Sequence, residues 1–108
     1  MEKLRKYLER AIKEQGLSVA EIVRRSDKKI KDSYIFDILS GKTKSISVQK
    51  LNALADGLGV NRIELYKLVS GIDEEESWTP QSLVRAIQKM LHLKPNEIKQ
   101  IKKILKID

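Results

Sequence analysis

The sequence predicts an all-α fold of seven short helices, and three observations lead there. Apolar residues recur at helical spacing along nearly the whole chain. Glycine stops at Gly16, Gly41 and Gly59 and proline starts at Pro80 and Pro95 punctuate those stripes. No run of useful length alternates with the two-residue period of a β-strand. The stripes place five helices in residues 1–70, a linker in 71–79 and a two-helix hairpin in 80–108.

Leu4, Leu8, Ala11 and Ile12 form the first stripe, with charges between them. Leu17-Ser18-Val19-Ala20-Glu21 opens the second helix, where Ser18 and Glu21 read as a capping box, each side chain taking an orphan backbone N–H. Its expected apolar face is Ala20, Ile22 and Val23, and it runs out at Arg24-Arg25-Ser26. Asp27 to Lys31 is a polar, lysine-rich turn. The third helix runs from Asp32 to Ser40, with Ile35, Ile38 and Leu39 inward and Gly41 as its stop. After a loop from Lys42 to Ile46, Ser47 caps a fourth helix whose stripe is Val48, Leu51, Leu54, Ala55 and Leu58. Asn61 with Glu64 reads as a second capping box for a fifth helix through Ile63, Leu65, Leu68 and Val69.

Gly71 to Thr79 carries the only acidic run, Asp73-Glu74-Glu75-Glu76, and no periodicity, which predicts a linker. Thr79 as cap and Pro80 as first helical residue begin a sixth helix through Leu83, Ala86, Ile87, Met90 and Leu91. His92-Leu93-Lys94 turns the chain, with His92 an exposed residue at a helix end. Pro95 then opens a seventh helix through Ile98, Ile101, Ile104 and Leu105.

Composition narrows function. The 108 residues hold 22 Lys plus Arg against 15 Asp plus Glu, a net charge of +7, which favours a polyanionic partner and nucleic acid before a membrane surface. Residues 1–70 hold 15 basic against 9 acidic side chains, a net of +6, and residues 71–108 hold 7 against 6, a net of +1. The polyanion-seeking part is therefore the five-helix segment. With no Cys, disulfide frameworks and thiolate zinc sites are excluded, and His92 as the only His excludes a His-rich metal site. No paired carboxylates sit on a strand scaffold, so no catalytic constellation emerges and neither an enzyme nor a cofactor is expected. No apolar run approaches the ~20 residues of a membrane helix. No apolar stretch follows Met1-Glu2-Lys3-Leu4-Arg5-Lys6, so the sequence predicts no secretory signal and a soluble, cytoplasmic chain.

Five short helices with a basic turn before the third suggest a helix-turn-helix. The ordered set Gly16-Leu17-Ser18-x-x-Glu21-Ile22, Ser33-Tyr34-Ile35-x-x-Ile38-x-x-Gly41-Lys42 and Ser47-x-x-x-Leu51-x-x-Leu54-Ala55-x-x-Leu58-Gly59-Val60-Asn61-x-x-Glu64-Leu65 resembles the Xre family, the lambda-repressor-like or Cro/cI-type helix-turn-helix domain. The resemblance covers roughly residues 3–69. It implies a five-helix DNA-binding domain whose third helix lies in the major groove, where each base pair shows a distinct donor and acceptor pattern. Lys31, Asp32, Ser33, Phe36 and Asp37 then face base edges, Ser18 with the N–H groups after it holds one phosphate, and Lys28, Lys29, Lys42 and Lys44 hold others.

Each of these residues also has a plainer reading. The lysines can be a solvated loop, Asp32 a helix cap, and Asp37 the partner of a nearby lysine. Phe36 can meet a thymine methyl or fold under the turn against Ile30, the second being slightly favoured; Tyr34 can be a partly buried helix residue. The chain also departs from the family pattern. Its turn is two residues longer and lacks an evident small residue, Val19 stands where a polar residue is usual, and Phe36 where polar readers are common.

A helical hairpin of about 25 residues cannot bury enough apolar surface alone. Its stripes need either the five-helix segment or a second copy, and the acidic linker favours the second copy. Leu83, Ile87, Met90, Leu91, Ile98, Ile101 and Leu105 are the expected dimer contacts, which suits two recognition helices reading a palindrome. Trp78, Leu83-Val84-Arg85 and the helix from Pro95 are weakly similar to the C-terminal hook of SinR-type repressors, which oligomerises and meets an antirepressor protein. The expectation is a dimeric, sequence-specific repressor of transcription on double-stranded DNA. The alternatives are an antitoxin covering a toxin, or a protein-binding adaptor of the same fold.

Overall fold

The computed structural model describes residues 1–72 and 78–107, and every regular element among them is an α-helix. In chain order these are α1 (Glu2–Gln15), α2 (Val19–Arg25), α3 (Asp32–Leu39), α4 (Val48–Leu58), α5 (Arg62–Ser70), α6 (Pro80–Leu91) and α7 (Pro95–Leu105). The expected acidic linker run, Asp73 to Glu76, lies outside the described residues. No helix among the described residues is long and apolar enough to cross a membrane.

Caps explain most of the starts. Ser18, Ser47 and Thr79 each sit in extended backbone and accept a hydrogen bond from the N–H three residues on. Three of the expected caps differ. The Ser18 and Glu21 box forms only in its Ser18 half, because the Glu21 carboxylate accepts from the Ser18 hydroxyl at 3.3 Å and not from the Ser18 backbone N–H. Asn61 caps α5 by accepting from the Ile63 N–H at 2.9 Å, while Glu64 turns away and accepts from the Tyr7 hydroxyl at 3.2 Å. Asp32 is the first helical residue of α3 and not its cap; Lys31 holds that place, and the Asp32 carboxylate accepts from the Ser33 N–H at 2.7 Å.

The long turn after α2 closes without glycine. Asp27 and Lys28 both take left-handed backbone, at φ 60° and 59°. The Asp27 N–H donates to the Arg24 carbonyl and the Lys28 N–H to the Val23 carbonyl, both at 3.0 Å, a Schellman closure with aspartate where glycine is usual. Ser26 is buried beneath it, donating to the Val23 carbonyl at 2.7 Å and accepting from the Ile30 N–H at 3.4 Å. Ile30 is buried too, so the turn is anchored at both ends.

One hydrophobic core takes residues from every helix. The stripes of α1, α3, α4 and α5 bury their expected residues, Leu4, Leu8, Ile35, Ile38, Val48, Leu51, Leu54, Leu58 and Leu65 among them. In α2 the expected face is rotated: Ile22 is buried and Val19 and Val23 half-buried, but Ala20 faces solvent. α2 seats closely on α4 at Gly57, where a β-carbon would lie 2.5 Å from the Ile22 carbonyl oxygen.

The tail packs on its own chain. α6 pairs most extensively with α5, and α7 reaches α4, α5 and α6. Leu83, Val84, Ile87, Ile101 and Leu105 enter the same core, so of the two partners open to the hairpin stripe, helices α1–α5 take its centre. The radius of gyration, 13.4 Å, is close to the ~13 Å expected of a compact chain this long. Glu97 of α7 ties the parts together, because its carboxylate accepts from the N–H of Lys94, the cap of α7, at 3.2 Å and from the Val48 N–H of α4 at 3.1 Å.

Candidate nucleic-acid interface

α3 is a short rod of eight residues, roughly 12 Å long at ~1.5 Å per residue. Ile35 and Ile38 point into the core and Tyr34 and Leu39 are half-buried, which leaves one stripe outside. Ser33, Phe36, Asp37 and Ser40 recur at three- and four-residue steps and are all exposed. Phe36 is 55% exposed, so the reading in which it folds under the turn against Ile30 is corrected: Ile30 is buried without it, and the ring stands in solvent.

Lysines bracket this stripe. Lys28, Lys29 and Lys31 precede it and Lys42 and Lys44 follow it, all exposed. The segment after α3 folds back on the helix end: the Lys42 and Thr43 N–H groups both donate to the Asp37 carbonyl, at 3.0 and 3.3 Å, with Gly41 in left-handed backbone. Lys50 on α4 joins from the side, its ammonium 3.9 Å from the centre of the Tyr34 ring. Sequence reasoning missed Lys50 and Ser40. The position of Lys50 in the turn of α4 that follows the basic loop is the signal that points to it.

None of these six lysines forms an ion pair among the described residues, where the pairs are Arg5 with Glu2 and Glu9, and Arg62 with Asp56. Asp37 has no lysine partner among them, which decides against its pairing reading. Burial, and then the Asp37 charge, hold the Tyr34 hydroxyl above the usual phenol range. Asp32 is engaged by its own helix, which partly satisfies the α3 N-terminus.

The α2 end differs from its expected phosphate-holding role in one respect. Ser18 is exposed, but its hydroxyl lies 3.3 Å from the Glu21 carboxylate, which places a negative charge beside the helix N-terminus. Arg24 and Arg25 are exposed.

The seven expected dimer contacts divide. Leu83, Ile87 and Ile101 are fully buried and Leu105 nearly so within the chain's own core, which corrects their assignment to a surface between copies. Leu91 and Ile98 are half-buried, and Met90 is 53% exposed. His92 is exposed at the left-handed end of α6.

A second concave region lies away from α3. α1 and α5 enclose a cleft of about 540 Å³, floored by Tyr7 and Leu68 and edged by Ile72 and Trp78. No protein-family model matches this chain, and no curated protein or solved structure is significantly similar to it.

Proposed function

We propose that this protein is a sequence-specific, double-stranded-DNA-binding regulator of transcription, a dimeric repressor whose five-helix domain reads DNA through α3. The observation that carries the reading is the exposed Ser33, Phe36, Asp37 and Ser40 stripe bracketed by Lys28, Lys29, Lys31, Lys42 and Lys44, none of them ion-paired among the described residues. An α-helix, ~10–12 Å across with its side chains, fits a major groove ~12 Å wide. The lysines at both ends suit phosphates on either side, which fix register. The exposed Phe36 ring supplies apolar contact for a thymine methyl. Met90, with the half-buried Leu91 and Ile98, is the tail surface left for a second copy.

Selection of binders from a random duplex pool at near-physiological salt tests this. The expected result is an enriched palindrome, with half-sites separated by about one turn of DNA. Lys31→Ala and Lys44→Ala should each lower the salt slope of binding by about 1 and weaken all sequences alike. A pool with no enrichment would overturn the reading and favour a protein partner on the Phe36 face.

A further inference from the structure

We infer that the cleft between α1 and α5 is a binding site for a small planar aromatic anion, a reading that does not rest on DNA binding. Its volume, about 540 Å³, falls within the ~300–1,000 Å³ of small-molecule sites. Lys3, Lys6 and Arg10 line it from α1, spaced three and four residues apart and so on one face, while Lys67 lines it from α5. Among the described residues that line it, one carboxylate stands against these four cations: Glu64, which is engaged by the Tyr7 hydroxyl at 3.2 Å. None of the four cations forms an ion pair among the described residues. Four like charges converging on one concavity raise a positive potential there that an anion relieves.

The aromatic part of the ligand follows from the walls. Tyr7, Leu68, Ile72 and Trp78 give the cleft its apolar surface, and Trp78 already stacks a cation, with the Lys67 ammonium 4.2 Å from its ring centre. A flat ring can lie along Trp78 and Tyr7 while its carboxylate or phosphate meets Lys6, Arg10 and Lys67. The DNA-facing lysines belong to the turns around α3 and to α4, so the two cationic regions share no residue.

Trp78 is the only tryptophan, so its single indole N–H resonance reports the cleft. The test titrates the isotope-labelled full chain with naphthoate, with the neutral isostere naphthamide, and with adenosine monophosphate. We expect naphthoate to move the indole resonance saturably, with one molecule bound per chain and naphthamide about tenfold weaker. Saturation by adenosine monophosphate instead would support the site and assign phosphate as its anion. Arg10→Glu and Lys67→Gln, whose folding the dispersed spectrum verifies, should each weaken binding, Arg10→Glu by about tenfold. Equal affinity for naphthamide would overturn the inference, leaving only an apolar hollow. An indole unmoved by either anion, or variants that bind like the parent, would overturn it too. Binding that appears only after Asp73, Glu74, Glu75 and Glu76 are replaced by serine would overturn it in favour of the chain's own acidic run as the occupant.

Discussion

At the level of single residues, charge next to a helix end decides what that end can hold. Ser18 satisfies the Glu21 N–H at 3.1 Å, and its hydroxyl reaches the Glu21 carboxylate at 3.3 Å. A phosphate approaching α2 must sit beside that carboxylate, which repels it. Glu21→Gln removes the charge and keeps the size, so duplex DNA should bind about threefold more tightly in a fluorescence anisotropy titration. Weaker binding would show that Glu21 serves the interface by holding Ser18 in place. Caps of this kind were legible in the sequence where a Ser or Thr precedes an apolar stripe, as at Ser18, Ser47 and Thr79. The acidic partners were not. Asp32 can bond its own helix one residue on, and Glu64 can find the Tyr7 hydroxyl from across the fold, choices that local spacing does not separate.

Among the helices, packing turns on a few contacts that periodicity does not reveal. Gly57 lies within α4 but outside its expected stripe, yet it is where α2 sits down: a β-carbon there would meet the Ile22 carbonyl oxygen at 2.5 Å and Ile22 Cγ2 at 2.7 Å. Backbone has to move to make room, so Gly57→Ala should destabilise the fold by about 1–3 kcal/mol in chemical denaturation, despite its better helix propensity. A stabilised variant would mean that α2 is free to shift. The seven residues of α2 span about two turns, too short for spacing alone to settle whether Val19 or Ala20 turns inward. The rotation emerges only from its seat on α4.

Tyr66 of α5 is a second such contact, fully buried with its hydroxyl donating to the Asn52 side chain on α4. Burial is the main cause of a phenol pKa pushed up to about 12. The folded state thus favours the neutral form. The associated stability, about 2–3 kcal/mol, is fully present below about pH 10 and is lost as pH rises from there towards about 12. Tyr66→Phe should flatten that alkaline loss in denaturation curves taken across the interval, at a cost near neutrality of about 1 kcal/mol for the lost hydrogen bond. An alkaline slope equal to the parent's would place the titration elsewhere, Tyr7 and Tyr34 being raised as well.

For the whole molecule, the seven helices of the described residues and their order were legible in the stripes, while the partner of the tail was not. An apolar face says that it will be covered and not by what. Leu83, Ile87 and Ile101 are covered within the chain's own core, and Glu97 bridges α7 to the α4 N-terminus, neither of which the acidic linker announces. What is left for a second copy centres on Met90. Because that side chain is exposed, Met90→Asp should leave the fold intact and shift the chain to monomer in sedimentation experiments. A parent that already sediments as a monomer would contradict the proposed dimer, and a variant as dimeric as its parent would contradict its pairing through Met90.

Whether DNA lies along α3, as proposed, is read by a nuclear magnetic resonance titration of the labelled chain with duplex DNA. The largest shifts are expected at Lys31, Ser33, Phe36 and Asp37 and in the flanking turns of Lys28, Lys29, Lys42 and Lys44, with the Trp78 indole unmoved. Shifts centred on Lys3, Lys6, Arg10 and Trp78, with α3 silent, would contradict it.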